Sequence, residues 1–333
     1  MLRAQSGQQA GVDTSAPGCR VYVSRPLPEP GIHLLREGGA EVLQNQYDTA
    51  PSEEEWRAGL AQADGLLCVL GDRIDEARMA AAPRLQVIAN LAVGYDNIDL
   101  AAARSRGITV TNTPDVLTDA TADLAWALLL ALARRLREGE RLLRSGSWKG
   151  WSPIQLLGTG LQGKTLGIFG FGRIGQAVAR RAAGFGMSVI YCSRSPKSVP
   201  GLAAEPVGLE GLLAGSDVLS LHSPLTEETR HRFGAAELSA LKPGCLLINT
   251  SRGALIDEAA LTRALQAGEL AGAGLDVYEF EPKVSEALLA MDQVVLLPHL
   301  GSATKEARAE MVRICSQNLL RVLRGEPALT PVG

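Results

Sequence analysis

The stretch "KTLGIFGFGRIGQAVARR", residues 164–181, restricts the fold more than any other part of the chain. An apolar, strand-like run feeds Gly170-x-Gly172-x-x-Gly175, and a helix-patterned segment follows at once. Each glycine has a physical task. Gly170 allows the tight turn, Gly172 lets a pyrophosphate approach the backbone, and Gly175 lets the helix press against the strand. The helix N-terminus then presents unpaired N–H groups to phosphate oxygens. The glycine spacing alone is a weak signal, and its place between strand and helix is what predicts a dinucleotide-binding βαβ unit.

Similar punctuation runs through the chain. Short apolar runs alternate with helix-patterned stretches, as expected of an α/β protein built on parallel sheets. "RVYVS", "GLLCVL", "LQVIAN" and "ITVTNT" form a first series. "KTLGIFG", "MSVIYC", "DVLSLH", "CLLINT", "AGAGLDV" and "QVVLLPH" form a second. Two α/β units joined near "TPDVLTDAT" suit a length of 333 residues. Gly268 should stop the helix in "EAALTRALQAG", while the helical stretch "KEARAEMVRICSQNLLRVLRG" could pack on either unit.

Several function classes are disfavoured. A net charge of −3 leaves no basic footprint for nucleic acid or an anionic membrane. "LAWALLLALA", from Leu124, is cut off by Arg134 and Arg135. At about half the ~20 residues of a membrane span, it is expected to be a buried or interface helix. Five scattered cysteines lack metal-ligand spacing and are expected to be reduced thiols of a cytoplasmic protein. Residues 1–18 carry no apolar leader and are expected to be poorly ordered. "SWKGWSP" places Trp148 and Trp151 in an aromatic-rich loop after a long charged helix, where an interface or pocket is expected.

The turn "YCSRSPK" bears on the ligand. A carboxylate usually stands there to accept a hydrogen bond from the adenosine ribose. Here the positions hold Ser193, Arg194 and Ser195, with Lys197 beyond. Hydroxyls and a guanidinium hold a 2′-phosphate where an acid would repel it, so NADP(H) is expected in preference to NAD(H).

Three runs of the second series end in one ionisable residue each: Arg252 in "CLLINTSRG", Glu281 in "GLDVYEFEP" and His299 in "VVLLPHLGSAT". Ligands of open parallel sheets bind outside the carboxyl ends of the strands. Reduction of a 2-oxo acid needs a proton for the developing alkoxide, and a histidine beside a carboxylate can give it. An arginine holds the substrate carboxylate and polarises the ketone.

By "GFGRIG", "INTSRG", "GLDVYEFEP" and "PHLGSAT", in that order and spacing, the chain resembles the D-isomer-specific 2-hydroxyacid dehydrogenases over residues 20–330. Within them it is most similar to the glyoxylate/hydroxypyruvate reductases, through "GLLCVLGDRID", "VGYDNID", "PDVLTDATADLA" and "WKGWSP". The resemblance implies two doubly wound parallel-sheet domains. A flavodoxin-like substrate domain, residues 19–115 with 304–333, would be interrupted by a Rossmann cofactor domain, residues 116–303. It assigns Arg252, Glu281 and His299 to catalysis and the backbone of Val93 and Gly94 to the substrate carboxylate, a small anion nest. Gly172, Arg173 and Ile174 would meet the pyrophosphate, and Thr121, Pro224, Thr250, Asp276 and Gly301 would line the cofactor. Trp151 would reach the neighbouring subunit's active site, which implies a homodimer. Phosphite-oxidising relatives carry lysine at the position of Val93, which argues against phosphite as substrate. Two alternatives stay open. One is reduction of a larger 2-oxo acid such as 2-ketogluconate, with Leu70, Val93 and Trp151 setting the pocket width. The other is a dinucleotide-sensing, corepressor-like binding protein.

Overall fold

The computed structural model describes residues 16, 18–28 and 31–333, which group into two compact units. One comprises the described residues up to Pro114 together with Arg308–Gly333; the other is Asp115–Ala307. Of residues 1–18 only Ala16 and Gly18 are described, and Ala16 is buried, donating its N–H to Gly38 O at 2.8 Å.

The first unit contains β1 (Arg20–Val23), β2 (Glu41–Gln44), β3 (Gly65–Cys68), β4 (Val87–Asn90) and β5 (Thr109–Thr111). The second contains β6 (Thr165–Phe169), β7 (Ser188–Cys192), β8 (Glu205–Pro206) and β9 (Val218–Leu221). It continues with β10 (Cys245–Asn249), β11 (Leu270–Leu275) and β12 (Val294–Leu296). The chain then returns to the first unit and adds β13 (Pro331–Val332).

The first sheet runs β13-β5-β4-β3-β1-β2, parallel except for the antiparallel edge strand β13, with the order of a flavodoxin-like sheet. Val21, Val23, Leu66, Leu67, Val87 and Ile88 are buried along its central strands, so these read as continuous apolar runs. The helix Lys305–Leu323 packs on it. A Cβ placed on Gly31 would strike Val312, and one on Gly65 would strike Leu319. Glycine therefore lets this helix approach the sheet unit closely.

The second sheet, β12-β11-β10-β9-β6-β7-β8, is parallel throughout and has the Rossmann order. Strand order reverses between β6 and β9, and that reversal sets a crevice at the carboxyl ends of the strands. "LAWALLLALA" lies inside this unit as part of the helix Thr118–Ala133. Ala125, Trp126, Leu128 and Leu129 pack with Leu166, Ile168 and Val178, and Trp126 Nε1 donates to Val178 O at 3.0 Å.

Some local expectations needed correcting. The long charged helix is two helices, Thr118–Ala133 and Leu136–Arg144, separated where Arg135 takes a left-handed φ of 53°. β2, β8 and β13 were not anticipated. They are edge strands with mostly exposed or half-buried residues, so they lack the apolar run that marks the central ones.

Candidate active site

The glycine loop leaves β6 at Gly170, whose φ of +92° needs glycine. A Cβ there would lie 2.6 Å from the His222 carbonyl and the Ser223 nitrogen, so the β6 and β9 loops are in direct contact at the reversal. A Cβ on Gly175 would come within 2.3 Å of Gly170 O, which is the close helix–strand packing expected of that position. Gly172 differs, because a Cβ on it would meet open space. It precedes the helix Arg173–Ala182 with no side-chain cap. An uncapped helix start beside open space, with a bare backbone, suits a pyrophosphate. Arg173 is ion-paired with Asp115, and Ile174 is half-buried at the helix start.

At the end of β7 the turn is pinned from below. Phe171 stacks on buried Tyr191 at 3.8 Å, and the Tyr191 hydroxyl accepts from Lys197 N at 2.8 Å. Ser193 Oγ donates to Ser195 O at 2.7 Å, and Arg194 is exposed at the tip. A recess of about 260 Å³ opens beside Tyr191, Ser193, Pro206 and Val207. The Glu228 carboxyl, in the loop after β9, is held low, first by its hydrogen bond with Thr226 and, among lesser causes, by the Arg194 charge.

Three strand ends carry the ionisable residues. After β10, Asn249 Nδ2 donates to Arg252 O at 2.9 Å while Asn249 Oδ1 accepts from Ser251 N at 3.0 Å. That buried asparagine shapes the turn presenting Arg252. Thr250 is buried, and its hydroxyl has no protein partner among the described residues. An orphaned hydroxyl beside the strand ends suits a ligand that supplies the missing bond.

After β11, Asp276 is fully buried and receives Leu300 N at 2.6 Å and Gly301 N at 2.8 Å. Burial pushes its carboxyl above the usual range. Thr121 Oγ1 closes the same knot on Gly301 O at 3.1 Å. His299 follows β12 with a left-handed φ of 55°, its N–H donating to Asp276 O at 2.9 Å. Asp276 thus grips residues 299–301 and holds His299 in a conformation few non-glycine residues adopt.

Glu281 Oε2 lies 2.9 Å from His299 Nδ1, and Glu281 Oε1 accepts from Tyr278 N at 3.0 Å. Burial alone would raise this carboxyl. The hydrogen bond with His299, the His299 charge and the Arg252 guanidinium outweigh it and hold Glu281 below the usual carboxylate range. An arginine, a carboxylate and an imidazole therefore share one electrostatic environment at the ends of β10, β11 and β12.

The remaining expected positions lie elsewhere. Pro224 is exposed in the loop after β9, where its carbonyl accepts from Thr229 Oγ1 at 2.8 Å. Trp151 stands 84% exposed on the second unit. Leu70, Val93 and Gly94 belong to the first unit, at the carboxyl ends of β3 and β4. There a buried polar network shapes both turns. Asp72 Oδ2 accepts from Ser24 Oγ at 2.5 Å and Val69 N at 3.0 Å, and Asp72 pairs with Arg25 at 2.9 Å. Asn97 Nδ2 donates to Asp72 O at 2.9 Å, and Asn90 Nδ2 reaches both Asn97 Oδ1 at 3.0 Å and Gly94 O at 2.9 Å. Asp72, Asn90 and Asn97 were not singled out from the sequence. A polar residue ending β4, and others in the loops after β3 and β4, were the available signal.

Among the described residues no group of side chains is arranged to hold a metal ion, and no helix is long and apolar enough to cross a membrane.

Comparisons with known proteins identify the family of the chain. Residues 126–301 match the family described as D-isomer specific 2-hydroxyacid dehydrogenase, NAD binding domain. The chain is 50% identical over 313 residues to a glyoxylate reductase of Thermococcus litoralis, covering 92% of this chain and 94% of that protein. A glyoxylate reductase of Pyrococcus furiosus is 48% identical, covering 92% and 93%. Among solved structures, a Thermus thermophilus protein superposes with a TM-score of 0.89 at 48% identity, covering 94% of this chain and 100% of that one. An NADPH-dependent glyoxylate/hydroxypyruvate reductase of Sinorhizobium meliloti, in complex with NADP and malonate, has a TM-score of 0.84 at 40% identity, covering 96% and 97%. By this family match, its fold and these likenesses, the chain belongs to the D-isomer specific 2-hydroxyacid dehydrogenases.

Proposed function

We propose that this protein is an NADPH-dependent reductase of small 2-oxo acids, converting glyoxylate to glycolate and hydroxypyruvate to D-glycerate. The observation that carries the reading is the His299–Glu281 pair at 2.9 Å, with Arg252 close enough to bias the same carboxylate. Family membership and the glyoxylate reductases it resembles support the substrate class.

In this reading Arg252 binds the substrate carboxylate and draws electron density from the ketone oxygen. His299 Nδ1 is engaged by Glu281, so Nε2 is the atom that gives its proton to the developing alkoxide. The Glu281 carboxylate fixes the ring orientation through its contact with Nδ1. The backbone of Val93 and Gly94 would receive the substrate carboxylate, with Leu70 and Val93 limiting substrate width.

The cofactor-side residues fit an NADP-type dinucleotide. The loop at Gly172, with Arg173 and Ile174, would hold the pyrophosphate at the open helix start. Ser193, Arg194, Ser195 and Lys197 would hold a 2′-phosphate, and no carboxylate stands at that turn to repel one. Thr121, Pro224, Thr250, Asp276 and Gly301 would line the nicotinamide side, Thr250 with its unpartnered hydroxyl. When bound, the dinucleotide supplies the hydride.

The homodimer belongs to the same proposal. Leu136, Leu143, Trp148, Trp151, Ile154 and Leu157 are all exposed large apolar residues of one segment, which suits burial against a second copy. Sedimentation equilibrium tests it. Steady-state assays test the activity, with a panel of 2-oxo acids tried against NADPH and NADH. Failure of glyoxylate and hydroxypyruvate to turn over with NADPH removes the reading, and preference for a sugar-derived acid redirects it to the larger substrate.

A further inference from the structure

Two residues before Glu281 lies a second histidine–carboxylate pair that the proposed chemistry does not use. Glu279 Oε1 is 2.6 Å from His231 Nε2. Glu279 Oε2 accepts from Glu258 N at 3.1 Å, and Glu279 N donates to Glu258 Oε2 at 3.1 Å. The two glutamates thus clasp each other's backbone reciprocally, and Glu258 opens the helix Glu258–Gln266. The Glu279 side chain is 10% exposed. A carboxylate so shielded is costly unless its oxygens are bonded, and both are.

The peptide between Glu279 and Glu281 is restrained from other sides too. A Cβ on Gly253 would lie 1.9–2.3 Å from the Tyr278 carbonyl and Glu279 N, so residues 278–279 rest on the residue that follows Arg252. Tyr278 donates its N–H to Glu281 Oε1 and its hydroxyl to Leu297 O at 2.8 Å, two residues before His299. His231 itself, at φ 49°, is tied by its N–H to Ala254 O at 2.8 Å. Residues 278–281 therefore link the Arg252 turn, the start of a helix and the His299 segment.

We infer that Glu279 is a positioning residue, whose clasp with Glu258 holds the loop so that the Glu281 carboxylate meets His299. His231 closes the outer side of the clasp. The catalytic readout of this inference rests on the proposed reductase activity; the geometric readout does not.

The experiment uses the full chain with 13C-labelled glutamate carboxyls, the Glu281 resonance being assigned by Glu281→Gln. Glu279→Ala frees the loop, weakens the His299 bond and lets the Glu281 carboxyl titrate at higher pH than in the parent. In glyoxylate assays, kcat falls about 10- to 100-fold, the scale of a small misplacement. The acid limb of the pH profile moves up with Glu281, and the KM for NADPH stays the same. His231→Gln leaves the Glu279–Glu258 clasp in place and changes kcat little. Glu279→Gln keeps an acceptor for Glu258 N, so its effect lies between parent and Glu279→Ala. If Glu279→Ala does not fold, Glu279→Gln carries the test through the same titration.

An unchanged Glu281 titration in the folded variant, with only a lower melting temperature, overturns the inference. A shifted titration in a protein that turns over no 2-oxo acid supports the positioning role and removes the reductase reading instead.

Discussion

Arg194→Ala separates NADP binding from general damage to the cofactor site. Arg194 sits at the tip of a turn held by contacts that do not involve its side chain: Ser193 Oγ to Ser195 O, and Lys197 N to the Tyr191 hydroxyl. Truncation should therefore leave the turn standing. A hydrogen bond to a charged group contributes about 1.5–3 kcal/mol. The guanidinium is exposed, so screening keeps the loss toward the lower end, and Lys197 still supplies a positive charge. A loss of about 1.5–2 kcal/mol corresponds to a Kd for NADPH raised about 10- to 30-fold. The Kd for NADH, which has no 2′-phosphate, should stay within about twofold. Isothermal titration calorimetry of both dinucleotides against parent and variant reads the difference, and the NADPH gap should narrow in high salt. Equal weakening of both dinucleotides, or none of either, would refute the phosphate assignment.

Three further perturbations probe His299 as the proposed proton donor, the glycine loop and the half-buried imidazole of His222. His299→Ala should lower kcat for glyoxylate by about 100-fold or more while the Kd for NADPH holds, as for a lost proton donor; fluorescence titration and steady-state rates check it. Gly170→Ala puts a side chain at φ +92° and 2.6 Å from the His222 backbone, so it should cost about 2–4 kcal/mol in urea unfolding and abolish NADPH binding. Burial pushes the His222 imidazole down to about 3 from 6.5, so between those values the unfolded chain binds the extra proton. Stability should then fall with falling pH by up to about 1.4 kcal/mol per unit in that window. His222→Gln should flatten that dependence in urea titrations at pH 7 and pH 5.

The glycine loop and the strand-end residues were legible because their chemistry is local. Gly170, Gly172 and Gly175 act within one turn, and Arg252, Glu281 and His299 each follow an apolar run that any parallel sheet would bury. What brings Glu281 onto His299 was not legible. It depends on Asp276 gripping Leu300 and Gly301, and on Tyr278 meeting Glu281, after the chain has closed. The left-handed conformations of Arg135 and His299 were equally hidden, since arginine has no leaning to positive φ and histidine's enrichment there does not single out one residue. β2 and β8 escaped because an edge strand needs few apolar residues, and the Asp72–Asn97–Asn90 network because polar loop residues show no periodicity.

The route of the chain has a consequence for biogenesis. The second unit is continuous, so all its strands are available once residue 307 has been synthesised. The first lacks β13, and the helix that covers Gly31 and Gly65, until Arg308–Gly333 emerge. A nascent chain should therefore assemble the inserted Rossmann unit while the earlier-made segment still exposes bare sheet surface. That waiting interval is when chaperones or aggregation would have their opportunity.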